Sequence, residues 1–166
     1  MELKAKAFKY GDDINTDYII AGKHKFKSTD MADMATHAME DVDPEYYAKV
    51  KPNGGILVAG TNFGMGSSRE QAPLVLIYSN TQAVLAKSFA RIFYRNAINT
   101  GLPVAELDTD LIDDGDELEV DLQAGVVRDL TKGIEIPFPP LPPVMAQLLD
   151  EGGLVEHFKK HGGWAV

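Results

Sequence analysis

Gly60-Thr61-Asn62-Phe63-Gly64-Met65-Gly66-Ser67-Ser68-Arg69-Glu70-Gln71-Ala72-Pro73 is the stretch that organises this chain. It follows the apolar run Ile56-Leu57-Val58-Ala59. Glycine permits the positive φ values and close backbone approach of a tight turn, so the order apolar run, three glycines, polar triplet predicts strand, turn, helix. Free N–H groups at the start of that helix, with Arg69 beside them, make a site for an anion. The serines add hydroxyls that bond a ligand or, once activated, do chemistry. The stretch thus predicts a carboxylate- or phosphate-binding turn containing a candidate base.

Downstream of the turn, a helix is expected from Ser68 to about Tyr78, with Pro73 in its first turn or two, where a missing N–H costs little. Ala83-Val84-Leu85-Ala86 reads as a buried strand. Residues 89–99 read as a helix ended by Gly101, and Leu102-Pro103-Val104-Ala105 as another strand. The alternation over 54–106 predicts a parallel sheet with crossover helices. Before it, residues 2–9 alternate polar and apolar as a strand does. A polar turn at 11–17 leads to the short apolar Tyr18-Ile19-Ile20, and residues 21–30 form a basic loop. Thr29 or Asp30 can cap a helix carrying Met31, Met34 and Ala35, and a second short helix is expected after Asp43-Pro44. Beyond 106, alternating segments at 117–122, 126–130 and 134–136, separated by Gly125 and Lys132-Gly133, predict an antiparallel meander. The proline-rich 137–143 reads as a stiff covering connector. A last amphipathic helix runs from about 143, breaks at Gly152-Gly153 and resumes to about Lys160. With no repeat and no linker, residues 1–166 are expected to form a single α/β domain.

Composition narrows the function. Hydrophobic residues make up 45% and charged residues 25%, ordinary globular values. A formal charge of −9 argues against a general nucleic-acid binder, which needs a basic face. No apolar segment approaches the ~20 residues of a membrane span, and the N-terminus lacks the apolar core of a signal peptide, so a cytoplasmic protein is expected. The sequence contains no cysteine, which excludes a cysteine nucleophile, a disulfide and thiolate ligation of a metal cluster within it. His157 and His161 have the i,i+4 spacing that can hold a metal, but they sit in a lysine-rich end. They are read as a solvated helix terminus, and no metal is assigned. The methionines Met31, Met34 and Met39, with Tyr46 and Tyr47, read as packing. Neither a dinucleotide fingerprint nor a Gly-Lys-Ser/Thr phosphate loop is present.

Several motifs in order carry a resemblance. They are Asn15-Thr16-Asp17-Tyr18-Ile19-Ile20, Met39-Glu40-Asp41, the turn itself, Ala86 to Asn96, and Gly101-Leu102-Pro103. Over most of residues 8–105 the chain resembles the small-subunit family of 3-isopropylmalate dehydratases, the swivelling-domain branch of the aconitase superfamily. The resemblance implies a swivelling β/β/α fold with a mainly parallel central sheet. It implies a partner large subunit carrying a [4Fe–4S] cluster, with no cofactor bound by this chain. The implied reaction is dehydration and rehydration of a 2-hydroxy di- or tricarboxylic acid. Carried over by the Gly-Ser-Ser-Arg motif, Ser67 would be the proton-abstracting base and Arg69 a ligand for a substrate carboxylate. Asp17, in the Thr-Asp pair, would orient an arginine or the serine. Ser68 is expected to bond substrate or cap the helix, and Thr61 and Asn62, at the strand's end, to line the pocket.

Two positions depart from the family pattern. Gln71 stands where most relatives have histidine, a change expected to alter supporting hydrogen bonds only. In the loop, Lys25-Phe26-Lys27-Ser28 replaces both the arginine-bearing form of homoaconitase-like relatives and the apolar form of isopropylmalate-specific ones. Lys27 can meet a distal carboxylate as a point charge, while Phe26 can meet an alkyl group. Isopropylmalate is the leading substrate, with methyl-substituted malates or a tricarboxylic acid as alternatives. A non-catalytic carboxylate-binding module is the alternative of another class. Arg91 and Arg95 are candidate substrate ligands, Arg91 being read first as a brace for the glycine turn.

Overall fold

The computed structural model describes residues 2–23, 30–67 and 70–162. The chain opens with β1 (Glu2–Lys9), followed by three short helices, α1 (Thr16–Ile19), α2 (Met31–Ala35) and α3 (Tyr46–Val50). Then come β2 (Gly55–Val58), α4 (Gln71–Tyr78), β3 (Thr81–Ala86), α5 (Arg91–Thr100) and β4 (Val104–Glu106). The meander is β5 (Glu117–Asp121), β6 (Val126–Asp129) and β7 (Ile134–Pro137), and two helices close the chain, α6 (Pro143–Asp150) and α7 (Leu154–His161).

All seven strands join one sheet in the order β4-β3-β2-β1-β5-β6-β7. On one side of β1 the pairing is parallel through β2, β3 and β4. On its other side β5, β6 and β7 follow antiparallel. The parallel half and the meander foreseen from the sequence are therefore halves of one surface, with β1 as the strand that serves both. Residue pattern explains the division. β2 is Gly-Ile-Leu-Val with every position buried, as for a strand covered on both faces. β5 alternates exposed and buried, as for a strand with one wet face. Packing of α4 on β3 and on α2, and of α5 on α4, α6 and α7, buries the apolar sides of these helices.

Local chemistry sets the helix ends. Asn15 caps α1 by accepting from the Tyr18 N–H at 3.0 Å, and Asp30 caps α2 by accepting from the Ala32 N–H at 3.0 Å. Asn15 and Thr16 thus begin a helical turn in a segment whose sequence offered only a short apolar run. Gly101 ends α5 in the left-handed conformation, at φ 93°. Met34, Met39 and Tyr46 are buried, in line with their reading as packing. The Tyr46 hydroxyl meets the Thr81 hydroxyl at 2.5 Å, so its polar end is satisfied inside the core.

One buried pair in the meander links fold to pH. Asp129 is 1% exposed; its Oδ1 accepts from the Thr131 and Lys132 N–H groups, while its Oδ2 has no donor. The carboxyls of Asp129 and buried Asp116 interact, and a proton shared between them relieves their like charge, with the Lys132 ammonium 3.6 Å from Asp116. Burial and the Asp116 contact push Asp129 above the ordinary carboxylate value, while the hydrogen bond from Asp129 holds Asp116 below it. An acid raised in the folded state stabilises that state at low pH, and the contribution is lost as pH rises from about 3.8 through its folded value. Asp129→Asn keeps the two backbone bonds and supplies a permanent donor toward Asp116. Its melting temperature relative to the parent should therefore climb as pH rises through that window. A difference that is flat across the same pH series would contradict the shared proton.

Candidate active site

Backbone geometry of the glycine turn is fixed from three sides. Gly60 N–H donates to the Gly11 carbonyl at 3.1 Å, and Thr61 N–H to Asp12 Oδ1 at 2.8 Å. A side chain at Gly60 would overlap Asp12, its Cβ falling 1.7 Å from that same Oδ1, so glycine is required there. Gly64 N–H reaches the Ile14 carbonyl at 2.8 Å, and Thr16 N–H the Met65 carbonyl at 2.9 Å. The turn is thereby zipped to residues 11–16, the segment that enters α1. On its other flank Phe63 bridges Phe89, and the rings of Phe63, Phe89 and Phe93 pack edge-on and stacked at centroid separations of 5.2 to 6.2 Å.

These contacts frame a cavity of about 200 Å³. One wall is Gly64, Gly66 and Ser67 with Thr16; the other is Ala90 to Phe93 with Asn96, the start of α5. Ser67 is exposed, and its hydroxyl has no hydrogen-bond partner among the described residues. Its carbonyl, by contrast, is held by the Thr16 hydroxyl at 3.0 Å. The turn is anchored through the serine's backbone while the side chain is left for a ligand.

The helix terminus that faces this cavity is that of α5. Ala90 offers no side-chain cap, so the first N–H groups of α5 point out with no intrahelical acceptor. Arg91 lines the same cavity, is exposed, and makes no hydrogen bond or ion pair among the described residues. Its expected role as a brace is therefore not what the structure displays, because the phenylalanine cluster does the bracing. A free guanidinium and uncapped N–H groups beside a serine hydroxyl suit an anionic ligand.

The sequence-derived residues divide accordingly. Ser67 lines the cavity. Asp17 lies on α1 next to Thr16, exposed and off the cavity wall. Thr61 and Asn62 are at the rim and occupied elsewhere: Asn62 Nδ2 donates to Asp13 Oδ1 at 3.2 Å, and its N–H to the Ser88 hydroxyl at 2.8 Å. Ser68, Arg69 and Lys27 lie outside the described residues. The N-cap of α4 is Glu70, which makes no side-chain cap bond. Gln71 is the first residue of α4 and half-buried. Sequence reasoning missed Thr16, Asp12 and Asn96. The polar run Gly11 to Thr16 was the available signal, since so many short polar residues before an apolar run need partners.

The C-terminal histidines require a correction. His157 is fully buried, not part of a solvated helix end. Its Nδ1 lies 2.6 Å from Glu151 Oε2, and His161 Nε2 lies 2.8 Å from Glu151 Oε1. On α7, His157 turns inward, while Leu154 is half-buried and the His161 side chain is 25% exposed.

Comparison with known proteins agrees with this architecture. The family described as the aconitase C-terminal domain matches residues 12–108, more than half of the chain. A protein of Archaeoglobus fulgidus named 3-isopropylmalate dehydratase small subunit 2 is 57% identical over 162 residues, covering 98% of each chain. One of Thermotoga maritima, named 3-isopropylmalate dehydratase small subunit 1, is 45% identical over 163 residues, again 98% of each. The crystal structure of 3-isopropylmalate dehydratase from Methanocaldococcus jannaschii superposes with a TM-score of 0.92 at 44% identity, covering 98% of this chain and 96% of that one. A match of this extent, with the glycine turn and its serine placed on a cavity, settles the kinship: the chain belongs to the 3-isopropylmalate dehydratase small-subunit family of aconitase-type hydro-lyases.

Proposed function

We propose that this chain, as one domain over residues 1–166, is the small subunit of a two-subunit hydro-lyase that interconverts 2-isopropylmalate and 3-isopropylmalate in leucine biosynthesis, in the cytoplasm. The observation that carries the reading is Ser67, whose hydroxyl has no partner among the described residues, on a cavity whose opposite wall carries Arg91. Dehydration removes a proton from a carbon beside a carboxylate and expels a hydroxyl from its neighbour. A neutral serine hydroxyl is too weak a base for this step, so Ser67 must first release its own proton to solvent; the alkoxide then takes the substrate proton, and its negative charge needs stabilising until it does. Arg91 and the uncapped N–H groups of α5 sit across the same cavity and favour negative charge there. Arg69, two residues beyond Ser67 in the motif, is assigned the grip on a substrate carboxylate. Ser68 is assigned a substrate hydrogen bond, and Asp17 the orientation of the cationic groups. Thr61 and Asn62 act by holding Asp12 and Asp13 at the rim.

The hydroxyl's departure calls for a Lewis acid. This sequence has no cysteine, and its donors do not fit a thiolate-ligated [4Fe–4S] cluster. We place that cluster on a large subunit, which docks over the cavity and supplies the pull on the hydroxyl. The exposure of Met65 and Ile92 beside the cavity supports a covering partner, since both offer apolar surface at its mouth.

Lys27 is assigned the distal end of the substrate. Replacing it by alanine in the assembled pair should change kcat/KM unequally across 2-isopropylmalate, methyl-substituted malates and a tricarboxylic acid. The parent enzyme should prefer isopropylmalate within that panel. A preference for a methylmalate or a tricarboxylate would overturn the substrate assignment, and an equal fall for all substrates would remove Lys27 as the selector.

A further inference from the structure

We propose that Glu151, His157 and His161 form a binding site for one divalent transition-metal ion of the zinc class, joining α6 to α7. Their ligand atoms lie within 4.8 Å of one another. His157 is fully buried, and the Glu151 and His161 side chains are 10% and 25% exposed. The three groups are thus held before any ion arrives. The intervening turn fixes Glu151 against α7. Gly152 and Gly153 both have positive φ, at 89° and 112°. A side chain on Gly153 would lie 2.5 Å from the Asn99 carbonyl, and one on Gly101 would lie 2.7 Å from the Gly152 carbonyl. The turn is therefore clamped onto the C-terminal end of α5, roughly 15 Å along that helix from the cavity.

Both histidines present a ring nitrogen to the same carboxylate, at 2.6 and 2.8 Å. A metal ion would take the place of the protons that those contacts share. Two donors on a tetrahedral ion at zinc's usual bond lengths stand ~3.3 Å apart, so the two nitrogen–oxygen contacts, to different oxygens of the carboxylate, need open by about 0.5 to 0.7 Å. Lys160 Nζ, 3.8 Å from Glu151 Oε1, is the competing cation; its side chain is 66% exposed and can swing into water. Two imidazoles and one carboxylate select zinc, nickel or copper over calcium and magnesium, which need a fuller oxygen shell. A fourth position remains for water.

The test uses the full chain without a histidine tag, stripped with chelator, at about pH 7.5, because metal binding competes with protons for its ligands. Zn²⁺ is titrated by calorimetry, and Co²⁺ by its visible absorption. One equivalent should bind, with the absorption intensity of tetrahedral cobalt and a rise in melting temperature. His161→Gln, at the most exposed of the three positions, should weaken binding by ~100-fold or more and abolish the thermal shift. Glu151→Gln should do the same, while His37→Gln, which lies elsewhere beside Glu40, should leave binding unchanged. Absence of saturable Zn²⁺ binding tighter than ~100 μM would overturn the proposal. Binding that survives both His161→Gln and Glu151→Gln would overturn it equally.

Discussion

Replacing Ser67 by alanine in the assembled enzyme should lower kcat by about 10²- to 10⁴-fold, the range of a lost general base. The structure makes this a sharp substitution. Ser67 anchors the turn through its carbonyl, which accepts from Thr16 at 3.0 Å, and alanine keeps that bond. The hydroxyl has no partner among the described residues, so removing it leaves no buried group unpaired. Stability and subunit assembly should therefore be unchanged, as read by melting temperature and gel filtration. Substrate KM should move little if, as proposed, Arg69 holds the substrate carboxylate. A kcat within a few-fold of the parent would remove Ser67 as the base. A large rise in KM with unchanged kcat would make it a binding group instead.

Gly64→Ala should be the most destabilising single-methyl change in the turn. Gly64 has φ +84°, a conformation that costs a side-chain-bearing residue ~1–2 kcal/mol. Its added Cβ would lie 2.2 Å from Cγ of Phe93. Phe93 is 3% exposed and packed against Phe63 and Phe89, so its ring has nowhere to go. Overpacking of this kind costs ~1–3 kcal/mol more. The sum, about 3 kcal/mol, corresponds to a fall in melting temperature on the order of 10 °C for a chain of this size. Because Phe93 also lines the cavity, the same change should disturb the start of α5 and lower activity in the fraction that folds. A melting temperature within 2–3 °C of the parent, a loss of under ~1 kcal/mol, would mean the turn is looser than these contacts require.

Much of this architecture was legible in the sequence, and the reasons are local. Glycine at 60, 64 and 101 marks places where a Cβ would clash, and glycine at 66 a positive φ, and each falls at a turn or helix end. Alternation in β5 and continuous apolar character in β2 distinguish a half-wet strand from a covered one. What pairs with what was less visible. Nothing local in Glu2–Lys9 says that it borders a parallel neighbour on one side and an antiparallel one on the other. That choice depends on loops closing over more than 40 residues.

The site was half legible. Ser67 follows from the motif, but its neighbours across the cavity come from the start of α5, whose Ala90 gives no capping signal. Arg91 looked like a brace because arginine beside a glycine turn often is one; three phenylalanines already fill that role. His157 was hidden by the charges around it. Lysines at 159 and 160 suggest a solvated helix, whereas His157, three residues after half-buried Leu154, turns into the protein. Composition averaged over both faces conceals a buried polar group that spacing reveals.

The central claim is that this chain carries half of an active site. Its most direct measurement is the turnover of 2-isopropylmalate by the purified chain, by the proposed cluster-bearing large subunit, and by the two mixed. Activity should appear only in the mixture, saturate as this chain is added, and vanish when the mixture contains Ser67→Ala. Turnover by this chain alone, or by the large subunit without it, would contradict the account.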